Sequence, residues 1–147
     1  MAGIKITAAD KWFSLAIRES NNWVCESSGV IDELGRSQGS SRGMECCHIF
    51  GRRSRNTRWY PLNAFCLTTA QHFYFTERPL EFTDFVKQKL GDGAYEILLE
   101  RSRDIYIKYS KDERDKQIPK HYREEYRRMR ALRKEGEAGP IKLISYD

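Results

Sequence analysis

The 147-residue chain predicts an α+β fold, in which a short two-stranded hairpin and the helix after it sit among further helices. Three observations carry this reading. Apolar residues recur at helical spacing over 8–19, 80–90, 94–107 and 121–135. Two short stretches with strand character, 44–50 and 64–69, flank a polar loop rich in arginine. Glycine and proline fall between the periodic segments rather than within them.

Taken in order, residues 8–19 place Trp12, Leu15, Ala16 and Glu19 on one stripe, with Phe13 and Ile17 broadening it. Thr7 or Asp10 caps its start. Asn21, Asn22, Ser27, Ser28 and Gly29 break the helix around a short extended piece, Trp23-Val24-Cys25. Gly35 to Gly43 reads as a polar loop. Met44 to Phe50 is the first strand, Trp59-Tyr60-Pro61 turns toward Asn63, and Ala64 to Thr69 is the second strand, leading into a helix near residue 70. After Pro79, suited to a first helical turn, residues 80–90 present Phe82, Phe85, Val86 and Leu90. Gly91 and Gly93 stop that helix. Residues 94–107 form the next, burying Tyr95, Leu98, Leu99 and Ile105. A charged stretch from Lys108 ends at Pro119, and 121–135 is a basic helix that docks through Tyr122, Tyr126, Met129 and Leu132. A short apolar tail, 141–146, closes the chain.

At 17.3 kDa one domain, 1–147, is the natural size. Lys and Arg outnumber Asp and Glu by 26 to 21, and the surplus is local. Residues 120–134 carry seven basic side chains and two acids, a net +5, while residues 52–58 carry +4. The remainder is net acidic, so two basic clusters point to a directed electrostatic footprint of the kind nucleic acid requires. No charged start leads into an apolar core, and no run approaches the length of a membrane span. Of the four cysteines, Cys46 and Cys47 are adjacent, poor geometry for a disulfide framework. The expectation is a cytoplasmic protein with thiols free or metal-bound and no membrane partner.

The densest signal is Cys46-Cys47-His48, followed within ten residues by Arg52, Arg53, Arg55 and Arg58 and by no acid. Asn63 lies fifteen residues after His48, and His72 nine after that. Cutting a phosphodiester needs a base to activate water, a divalent ion at the scissile phosphate, and cations that locate the backbone. An imidazole titrates near neutrality, so His48 suits the first task. Asn63 is placed to hold that imidazole or its loop, His72 to ligate the ion, and the four arginines to meet phosphate. Each residue has a plainer reading: His48 as a packed strand histidine, Asn63 as a turn former, His72 as an aromatic-core residue, Cys47 as a small buried hydrophobe, the arginines as a solvated loop.

In sequence, Cys47-His48, Trp59-Tyr60-Pro61-Leu62-Asn63 and Ala70-Gln71-His72 resemble the HNH endonucleases of the ββα-metal superfamily, and within them the small phage-encoded HNH proteins associated with recombination. The resemblance covers about residues 23–90, the HNH-like core, and leaves about 92–135 as a helical extension. It implies a hydrolase that cuts DNA, with His48 as general base, Asn63 as orienting residue and Cys47 with His72 as ligands of a divalent ion, magnesium or alternatively manganese. It implies DNA as partner, a second copy or phage and host recombination proteins as candidate companions, and the host cytoplasm as location.

Two departures from the family pattern matter. Many members hold a structural zinc between two Cys-x-x-Cys knuckles; here those positions read Cys25-Glu26-Ser27-Ser28 and Thr68-Thr69-Ala70-Gln71, so one thiol of four remains. A tetrahedral thiolate site needs its ligands nearly complete, and structural zinc is not expected unless Cys46 and Cys66 join Cys25. Thr76 stands where many members carry another metal-binding side chain. The alternative function is a non-catalytic DNA-binding module that kept the fold; a third is a structural zinc protein with a protein partner.

Overall fold

The computed structural model describes residues 3–147. Helix α1 (Ala8–Ser20) is followed by a short helix α2 (Glu33–Gln38), strands β1 (Met44–His48) and β2 (Ala64–Thr68), helices α3 (Thr69–Thr76) and α4 (Pro79–Arg103), and the basic helix α5 (Ile118–Lys134). The expected α+β composition holds. The two strands pair antiparallel in the register Met44–Thr68 to His48–Ala64. The connection between them closes through a 3₁₀ turn at Pro61–Asn63.

α1 begins with a capping box in which Thr7 and Asp10 exchange side-chain and backbone hydrogen bonds. Its buried stripe is Ala9, Phe13, Ala16, Ile17 and Glu19, one step round from the expected one, so Trp12 and Leu15 form its half-buried edge. α1 packs along α5, and Phe13 meets the Tyr122 ring edge-on at 4.9 Å. Tyr122 in turn donates its hydroxyl hydrogen to the Trp59 carbonyl, tying α5 to the inter-strand loop. β2 is buried along most of its length, with Phe65 against Phe82 and Phe85, which Phe75 joins, and with α1's Phe13 near His48 on the other face of the hairpin.

Three elements differ from the sequence reading. The segment expected as a polar loop contains α2, because Asp32 caps its first turn and Gly39 ends it in the left-handed conformation. Gly35 within it is required: a Cβ there would lie 2.2 Å from the Trp23 ring. α4 runs through the expected stop but kinks there, with Gly91 at φ 78°. Ile105, expected on the buried face of a helix, lies beyond the end of α4 and is 73% exposed. Pro119 sits inside the first turn of α5, entered through a π turn at Glu113–Gln117. Among the described residues no helix is long and apolar enough to cross a membrane.

Candidate active site and nucleic-acid interface

The inter-strand loop is the piece that makes a site. Asn63 is 0% exposed, and both ends of its amide are spent on that loop. Its Nδ2 donates to the Phe50 carbonyl at 2.8 Å and the Thr57 carbonyl at 3.0 Å, while Oδ1 accepts from the Phe50 amide at 2.8 Å. A buried amide with all three bonds made fixes the backbone it bridges. Asn63 therefore holds the loop, the second of the two roles expected for it.

That loop aims His48. The His48 Nε2 lies 3.1 Å from the Arg58 carbonyl. A carbonyl has no hydrogen to give, so the ring nitrogen facing it carries the proton and the other is left as a base. Burial holds the His48 pKa below its usual value, against the opposing effect of this hydrogen bond, so the ring is neutral near pH 7. Arg58 is itself anchored, through Nη2 to Asp10 Oδ2 at 2.6 Å and Nε to Asp10 Oδ1 at 2.9 Å. Trp59 Nε1 donates to the same carboxylate. Burial resists ionisation of Asp10, but the Arg58 and Thr7 hydrogen bonds outweigh it and hold the pKa below the carboxylate norm. Asp10, read from sequence only as a helix cap, is thus the anchor of the chain Asp10–Arg58–His48. Its signal in sequence is consumed by the cap.

His48 and His72 wall the same open cleft of about 1160 Å³, bounded by α1, β1, the inter-strand loop and α3. His72 Nδ1 lies 3.0 Å from Glu45 Oε1. Although burial disfavours its charge, hydrogen bonds from Thr69 and His72 keep Glu45 more acidic than usual. Glu45 escaped the sequence reading because nothing in its spacing to His72 marks a pair; strand register and the start of α3 bring them together. Cys47 is placed elsewhere. It is 3% exposed, absent from the cleft wall, and burial pushes its thiol up to about 12. The plainer reading of Cys47, a small buried hydrophobe, describes its position. Cys46 faces the cleft instead, its thiol also raised by burial. Among the described residues no group of three or more His, Cys, Asp or Glu side chains is disposed to hold a metal.

The knuckle positions do converge, and hydrogen bonds join them. The Thr68 amide donates to Cys25 Sγ at 3.4 Å, and Ser27 Oγ donates to Gln71 Oε1 at 2.7 Å. Cys46 and Cys66 are paired across the strands. Burial opposes the Cys25 thiolate, but bonds from Ser27, Ser28 and Thr68 lower the pKa to about 7. Thr76, where another ligand was sought, donates to the His72 carbonyl at 2.9 Å.

The four arginines divide. Arg52 and Arg53 line the cleft, Arg53 and Arg55 are exposed, and Arg58 is committed to Asp10 with its side chain 12% exposed. The arm that can meet phosphate is Arg52, Arg53 and Arg55. Three of the seven basic side chains at 120–134 are scaffold: Arg128 pairs with Glu125, and Arg130 and Arg133 reach Glu19 and backbone carbonyls, while Lys120, Arg127 and Lys134 are exposed. Comparison with family models, curated proteins and solved structures finds no match for the chain.

Proposed function

We propose that this protein is a metal-dependent DNA endonuclease of HNH type, and that the cleft between His48 and His72 is where a phosphodiester is cut. One observation carries the reading: Asn63 pins the loop whose Arg58 carbonyl presets His48 as a neutral base, on the same cleft that His72 walls from the other side. In this reading the unprotonated nitrogen of His48 takes a proton from the water that attacks phosphorus, and Arg52 and Arg53 hold the flanking phosphates in place. Of the expected ligands, His72 fits. Its Nδ1–H donates to Glu45, which fixes the ring and leaves Nε2 free, the usual support for a metal-bound imidazole. Cys47 does not fit, and Glu45, already engaged with His72 Nδ1 on the far side of the ring, orients that ligand rather than joining it. Held by one imidazole, an ion such as magnesium or manganese would keep most of its water and would stabilise charge on the departing oxygen. A place in phage recombination or DNA processing follows from the resemblance of the motifs.

The second reading, a DNA-binding module without cleavage, draws on the buried Cys47. Nicking of supercoiled plasmid separates the two. The nuclease reading expects nicks with magnesium or manganese and none with chelator. DNA binding with no nicking under any divalent ion would leave the module.

A further inference from the structure

A second trough, of about 630 Å³, runs from the arginine loop to the segment after α4, and Arg52 and Arg53 belong to both it and the cleft. Its far wall carries Lys108 and Arg114. Among the described residues none of Arg52, Arg53, Arg55, Lys108 and Arg114 is in an ion pair. Asp104 is the one acid among the lining residues, and its Oδ1 accepts the Tyr106 amide at 2.8 Å, which fixes the turn that follows.

The two walls are locked together. Asn56, between Arg55 and Thr57, donates through Nδ2 to the Arg101 and Asp104 carbonyls, and Arg101 Nε donates back to the Asn56 carbonyl at 2.8 Å. On that held turn Tyr106 is 87% exposed beside the similarly exposed Ile105. An aromatic ring offered to solvent on a fixed turn, between Ile105 and Ile107 that both line the cationic trough, has the makings of a stacking platform for an unpaired base. A base inside a duplex has no free face to offer it.

We propose that this trough binds the backbone of an unpaired nucleic-acid strand continuous with the strand in the cleft, and that Tyr106 stacks on one of its bases. The proposal rests on the nucleic-acid reading of the arginine loop but not on cleavage. It specifies the substrate class as DNA with a single-stranded or frayed segment beside the site. Charge complementarity selects the occupant: a trough with five unpaired cations suits phosphate, and a protein partner would need a matching run of acids.

The test uses full-length protein without divalent metal, and fluorescence anisotropy of a labelled single-stranded oligonucleotide and a blunt duplex of the same sequence. The single strand should bind more tightly. Tyr106→Ala should weaken it about 5- to 100-fold, in line with the loss of one stack, while duplex affinity stays within about twofold and Tyr106→Phe behaves as the parent. Lys108→Ala should lower the salt slope for single strand by about 0.7. An unchanged single-strand affinity in Tyr106→Ala overturns the proposal, as does an equal loss on both probes or duplex preference in the parent. Binding of an acidic peptide in place of DNA would overturn it in favour of a protein partner. Plasmid nicking is read separately. Tyr106-dependent strand binding without nicking sinks the nuclease and leaves this proposal standing; nicking without it does the reverse.

Discussion

The arginine loop and helix α5 hold nearly equal positive charge in sequence, yet their side chains do opposite work. On α5, Arg128, Arg130 and Arg133 are neutralised by Glu125 and Glu19 or bound to carbonyls, so they join α5 to α1 and to the C-terminal tail. On the loop, Arg52, Arg53 and Arg55 are in no ion pair among the described residues; Arg52 and Arg53 stand where the cleft and the second trough meet, and Arg55 lines the second trough. The lesson is that charge density locates a cationic segment but not its use. What decides is whether the packed neighbours bring carboxylates: α1 offers Glu19 to α5, while of the four loop arginines only Arg58 meets an acid of α1, Asp10, which it shares with Trp59 and Thr7.

If this division is right, perturbing the loop side should cost function with the fold intact, and perturbing the α5 side should cost the fold. The largest effect belongs to His48. His48→Ala should lower nicking by about 100- to 10,000-fold with an unchanged melting temperature. Because burial depresses its pKa, the base is already unprotonated below the usual histidine range. The acid limb of the rate–pH profile should therefore fall below about 6.5. A variant that cuts as fast as the parent removes His48 from the chemistry.

Next in size is Arg130→Ala, which takes from Glu19, a side chain 1% exposed, its closest ion-pair partner and leaves it Arg133 at 4.0 Å and the Trp23 Nε1 hydrogen bond at 3.0 Å. With those two partners kept, the loss should stay below about 3 kcal/mol, the cost of a wholly unpaired buried charge. Chemical denaturation should show that loss, while DNA affinity measured where the variant is folded stays within about twofold. An affinity drop without a stability drop would place α5 in the interface and break the comparison.

Smaller in free energy but sharper in meaning is Arg55→Ala. It should reduce the salt slope for duplex DNA by about 1 and weaken unrelated sequences by a similar factor, with stability unmoved. A change of sequence preference at constant slope would mean that the side chain reads base edges.

The smallest expected effect is none. Lys134→Ala, on an exposed α5 position, should change stability by less than about 0.5 kcal/mol and leave binding alone. Chelator should likewise leave the melting temperature of metal-free-purified protein unchanged, because hydrogen bonds among Cys25, Ser27, Thr68 and Gln71 occupy the zinc-knuckle positions. A fall of several degrees would reveal a structural metal that these bonds only frame.

Much of the fold was legible locally. Thr7 and Asp10 announce the start of α1, and the stretches 44–50 and 64–69 announce the hairpin, since each depends on neighbours within a few residues, whereas Gly91, expected to stop its helix, only bends α4. α2 was missed because six residues are too few for a periodic signal; its caps, Asp32 and Gly39, were the only clue. Ile105 was misplaced because periodicity cannot tell a helix's last turn from an exposed segment just beyond it.

By itself, the sequence determined the hairpin and the main helices, where the positive charge concentrates, and which residues are candidates for the chemistry: His48, Asn63 and His72. Only the tertiary structure decided which of them face one cleft, that Cys47 turns inward while Glu45 pairs with His72, and that Arg58 belongs to Asp10. The physical reason is range. Capping, turn formation and strand propensity act over three or four residues, whereas burial and ion pairing depend on partners 27 and 48 positions away, as at Glu45–His72 and Asp10–Arg58, which no local pattern encodes.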